Sequence, residues 1–82
     1  MGSTGNTIQA EVVAQIKAEM AAGGLNQTAL AETSGIPTST LSRYLNGTRD
    51  LPLPAVIEIA AALGVSFPEL LVRAQQRAGV TP

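Results

Sequence analysis

Apolar residues recur along this chain at helical spacing, and glycines interrupt them. Ile8, Val12, Ile16 and Met20 fall at steps of four, with Val13 alongside. That spacing predicts one apolar stripe on a first helix. Gln9, Glu11, Gln15, Lys17 and Glu19 lie largely off the stripe. Asn6 or Thr7 is placed to cap its start, and Ala21-Ala22-Gly23-Gly24 to end it. A second helix is predicted over Gln27–Ser34, apolar at Leu30 and Ala31, with Asn26 as its cap and Leu25 at the entry to the core. Gly35 stands where a helix needs a left-handed residue to stop. A third helix runs over roughly Thr38–Leu45, apolar at Leu41, Tyr44 and Leu45, and Asn46-Gly47 closes it. Leu51-Pro52-Leu53-Pro54 reads as a stiff extended connector, with Pro54 suited to the first position of a fourth helix. Val56, Ile57, Ala60 and Leu63, with Ile59, predict its buried stripe, and Gly64 its end. Ser66 and Glu69 have the spacing of a capping box, opening a fifth helix that carries Phe67, Leu70, Leu71 and Ala74. The expectation is an all-α domain over residues 8–78, with flexible ends at 1–7 and 79–82.

Two short helices around a tight turn containing Gly form the helix-turn-helix pattern, whose second helix can enter the major groove of DNA. The third helix divides into faces accordingly. Leu41 and Leu45 point inward, with Tyr44 at the edge. Thr38, Ser39, Ser42 and Arg43 share the opposite side. Base readout needs short hydrogen-bonding groups near the helix start and a longer one a turn later. Thr38 and Ser39 supply the first. Arg43 supplies the second, with a fork that matches guanine O6 and N7. Thr40, one position round, is placed for phosphate or for structure. Gly47 is expected at positive φ, freeing backbone amides to face a phosphate, with Asn46, Thr48 and Arg49 contacting the DNA backbone. Asp50 beside Arg49 would partly offset its attraction. A plain solvated helix start, and an ordinary helix-ending turn, are the structural alternatives for these groups.

The same residues carry a resemblance. Asn26-Gln27-x-x-Leu30-Ala31-x-x-x-Gly35-Ile36, then Ser39-Thr40-Leu41-Ser42-Arg43 and Asn46-Gly47, resembles the DNA-binding domain of Cro and lambda-type phage repressors, the XRE-like regulators. The likeness continues through Leu53, Val56, Ile57, Ile59, Ala60, Leu63, Gly64 and Val65, and so spans roughly residues 8 to 72. It implies a compact five-helix fold. It also implies that Gln27, with Thr28 beside it, meets a DNA phosphate and that Gln27 braces the recognition helix. Relatives often pair through the C-terminal end, which marks Phe67, Leu71 and Ala74 for a homodimer contact. Intramolecular packing is the other use for these three. Pro37 departs from the family, which usually has a polar cap there. Either Pro37 holds the cap position without a side-chain bond, or Thr38 caps and the helix starts one residue late. The connector proline also stands one residue later than usual.

Composition narrows the chemistry. Eighty-two residues make one small domain with a modest core. Hydrophobic residues are 45% but aromatics only 2%, which suits close-packed short helices. Cys and His are absent. That removes disulfides, thiolate metal sites and the commonest general base, so no metal or cofactor is expected. The six carboxylates are scattered singly and no phosphate-binding loop occurs, so an enzyme is not expected. No signal peptide or spanning segment is visible, which implies a cytoplasmic protein of a bacterium or phage-infected host.

The net charge of −1 is unusual for a nucleic-acid binder. Only Lys17, Arg43, Arg49, Arg73 and Arg77 are cationic, yet two of the five lie in or just after the recognition helix. Placement outweighs the sum, because charges act mainly within a Debye length of roughly 8 Å at physiological salt. The favoured reading is a sequence-specific regulator that binds double-stranded DNA, of the Cro or short phage-repressor kind, blocking polymerase as a dimer on a palindromic operator. An antitoxin or an excision-type accessory regulator is the nearest alternative. The charge balance favours a third: a helix-turn-helix fold used for protein–protein contact without DNA.

Overall fold

Each glycine-marked break in the sequence pattern ends a helix. The computed structural model describes the backbone of residues 4–77, with side chains from Ile8 onward. Five helices follow one another: α1 Thr4–Gly23, α2 Gln27–Ser34, α3 Thr38–Asn46, α4 Leu53–Leu63 and α5 Phe67–Arg77. No strand occurs among the described residues. No single described helix is long and apolar enough to cross a membrane. The expected flexible tail at 79–82 lies outside the described residues.

The core is one cluster drawn from all five helices. Ile16, Leu30, Leu41, Ile59 and Leu70 are its fully buried large side chains, one from each helix. α1 packs along α5 and also meets α3 and α4, while α2 packs on α3 and α4. The recognition pair α2–α3 is therefore held from behind by α1 and α4.

Several boundaries differ from expectation. α1 begins at Thr4, so Asn6 and Thr7 lie inside it rather than capping it. A helix once nucleated extends at one hydrogen bond per residue, with little further cost. α4 begins at Leu53, with Pro52 at the cap position and Pro54 one place inside the start. Ser66 caps α5 by accepting from the Glu69 amide at 3.2 Å. The Glu69 side chain does not complete the box. It pairs with Arg73 at 2.8 Å instead.

The buried faces are also rotated at the margins. Ile8 is exposed, and Ile57 is 48% exposed where a core residue was expected. Ala55 is buried in its place. Gln15 is buried, and its amide donates to Glu19 Oε2 at 2.8 Å. Arg73 reaches the same oxygen at 2.8 Å, tying α5 to α1. These bonds, Arg73 first and Gln15 next, hold the Glu19 carboxyl below its ordinary range. The pair is partly exposed, so its contribution to stability is small.

Candidate nucleic-acid interface

The turn between α2 and α3 is built as the sequence demands. Asn26 Oδ1 accepts from the Ala29 amide at 2.8 Å, satisfying one of the free donors at the start of α2. Gly35 takes φ 78°, a left-handed conformation open to Gly without steric cost. Its amide bonds the Ala31 carbonyl at 2.9 Å. Ile36, buried, then plugs the turn into the core. Pro37 resolves the choice at the start of α3. It holds the cap position at φ −56° with no side-chain cap bond, and Thr38 is the first helical residue.

That register decides which side chains of α3 face outward. Leu41, Tyr44 and Leu45 are buried. Tyr44 goes deeper than an edge residue, at 8% exposure. Thr38, Ser39 and Arg43 are exposed, while Ser42 and Thr40 are half-exposed. Ser39, Arg43 and Asn46 follow one another at four and three residues, and so line one ridge of the helix. Arg43 has no ion-pair partner among the described residues. Its guanidinium stands free to donate.

Gln27 and Thr28 are exposed on the first turn of α2. Beyond α3 the chain turns through Gly47 at φ 81°. The sequence suggested backbone amides free for a phosphate here, but they are bonded within the chain. Gly47 bonds the Tyr44 carbonyl, and both Thr48 and Arg49 bond the Arg43 carbonyl, at 3.1 and 3.3 Å. Glycine's left-handed turn folds the amides back to satisfy the last carbonyls of the helix. Thr48 Oγ1 donates to Asn46 Oδ1 at 2.7 Å. Asn46, Thr48, Arg49 and Asp50 are all exposed.

The residues marked for pairing separate. Ala74 is a correction: at 1% exposure it is already covered within the chain and has no surface left for a second copy. Phe67 and Leu71 are half-buried and line an open groove with Ile8, Val12, Leu53 and Val56. Gln9 was not singled out from the sequence, yet its side chain reaches the loop after α3. No sequence signal could have found it, because the two lie 42 residues apart. No group of acidic, His or Cys side chains able to hold a metal occurs among the described residues.

The helix-turn-helix family model matches residues 16–70, more than half of the chain. The chain belongs to the XRE-type helix-turn-helix family. Its fold is also that of a solved structure, the clp gene regulator ClgR from C. glutamicum, with a TM-score of 0.77. The superposition covers 90% of this chain and 96% of that one, at 22% identity. No match was found among curated proteins. Membership of the helix-turn-helix family supports a DNA-binding transcriptional regulator.

Proposed function

We propose that this helix-turn-helix domain is a sequence-specific regulator of the Cro or short phage-repressor kind, binding double-stranded DNA and acting by occluding its operator. The observation that carries the reading is the outward face of α3, where Thr38, Ser39 and Arg43 are exposed while Leu41 and Leu45 anchor the helix from behind. Thr38, Ser39, Ser42 and Arg43 read base edges. Gln27, Thr28, Thr40, Asn46, Thr48 and Arg49 meet the sugar-phosphate backbone. Ser and Thr hydroxyls accommodate more than one base edge, so the sharpest preference falls on the base pair under Arg43. Duplexes selected by the protein from a random-sequence pool test this. A shared motif after several rounds is expected, and a pool that stays random would leave the fold without this function.

Gln27→Ala is expected to weaken binding about equally on selected and unselected duplexes, because a phosphate contact carries no sequence information. Parallel titrations of the two duplexes check it. A loss confined to the selected sequence would instead make Gln27 a base reader.

Binding as a homodimer places two recognition helices about 34 Å apart, one turn of DNA. The groove beside Phe67 and Leu71 suits the contact, because Leu53 at its rim is 55% exposed and uncharged. Leu53→Glu is expected to yield monomers in sedimentation with the fold intact. An unchanged dimer would move the contact elsewhere, and a monomeric native protein would remove it.

A further inference from the structure

The segment between α3 and α4 is held in two different ways. At its start, Gly47, Thr48 and Arg49 are tied by their amides to the end of α3. At its far end Leu51 packs against the core, and one side chain from α1 hydrogen-bonds the chain. Gln9 Oε1 accepts from the Leu51 amide at 2.6 Å, and Gln9 Nε2 donates to Asp50 Oδ1 at 3.4 Å. Among the described residues, the only other helix side chain that hydrogen-bonds this segment is Asn46 at the end of α3, which accepts from Thr48. Ahead of Leu51, which packs against the core, the segment stands off α1. An open cleft of about 470 Å³ lies between Ala10 and Val13 of α1 and the backbone around Asn46, Gly47 and Arg49. Gln9 bridges at the edge of that cleft.

The two bonds do different work. The acceptor satisfies a half-buried backbone amide and fixes where the loop ends. The donor engages the carboxylate next in sequence to Arg49. Asp50 makes no ion pair with Arg49, which has no such partner among the described residues. An acidic group released there would both compete for Arg49 and repel a phosphate. In a chain with only five cations, losing one matters.

We propose that Gln9 is a positioning residue for DNA-backbone binding: it holds the loop at Leu51 and keeps the Asp50 carboxylate off Arg49, leaving that guanidinium to a phosphate. This rests on the reading of Asn46–Arg49 as a backbone-contacting loop. The test uses the full chain and duplexes selected by the wild-type protein, with the folded fraction of every variant fixed by denaturant titration. Gln9→Ala binds roughly three- to tenfold more weakly, the range of one net hydrogen bond. Arg49→Ala alone weakens binding comparably, and Gln9→Ala adds little in that background. A merely structural glutamine would lower the denaturation midpoint, leave the affinity of the folded fraction unchanged, and act additively with Arg49→Ala.

Gln9→Glu keeps the acceptor for Leu51, loses the donor and sets two carboxylates together, so it also weakens binding. Adding Asp50→Asn restores it, since the new amide donates across the same gap. Full affinity for Gln9→Ala, additivity with Arg49→Ala, or no rescue by Asp50→Asn overturns the proposal. If Arg43→Ala weakens binding while Gln9→Ala does not, only this inference falls. If the wild-type protein selects no duplex at all, the DNA-binding reading falls and takes this one with it.

Discussion

Leu41→Ala is expected to destabilise the domain by roughly 2–5 kcal/mol, the range for emptying a fully buried leucine site. Leu41 has no exposed surface and sits one turn into α3, where it joins the recognition helix to the core. Small domains hold only about 5–15 kcal/mol in total, so such a loss removes much of the margin. The cavity would be lined by core residues that cannot all collapse into it, because the neighbouring helices brace one another. Ile57→Ala is the control. Its side chain is 48% exposed, so truncation should change stability by less than about 1 kcal/mol. Urea titrations with unchanged slopes measure both. Equal losses at the two sites would mean that the core is not arranged as described.

Arg43→Ala is expected to weaken binding to selected DNA by about 1–3 kcal/mol, roughly 5- to 150-fold. It should also relax preference at one base pair. The guanidinium is exposed and has no ion-pair partner among the described residues, so no described carboxylate competes for it. Arg43→Lys separates charge from shape. Lysine keeps the charge and loses the planar fork, so affinity for unselected DNA should survive while the base preference falls. The midpoint of unfolding should hardly move in either variant, since surface positions of this kind cost about 0.5 kcal/mol or less. Identical titration curves for Arg43→Ala and the native protein on selected duplexes would remove Arg43 from the interface.

Residues close in sequence determined most of the architecture. The spacing of Val12, Ile16 and Met20, the Asn26 cap, and Gly35 and Gly47 at positive φ set four of the features the structure contains. Each is decided within a turn or two of chain, by side-chain period, a local hydrogen bond or backbone sterics. The outward set on α3 was legible for the same reason, because α3 is amphipathic and its leucines leave one face for Thr38, Ser39 and Arg43.

Tertiary structure alone decided the rest. Ile57 and Ile8 carry core chemistry but stay about half exposed at the margin of the packing. Ala74 looks like surface-contact material until α5 settles on α1 and covers it. Arg73 of α5 reaches Glu19 of α1, 54 residues away. The Gln9 bridge joins groups 41 and 42 residues apart. Contacts at that separation depend on how whole helices come to rest against one another, and periodicity along the chain carries no record of it.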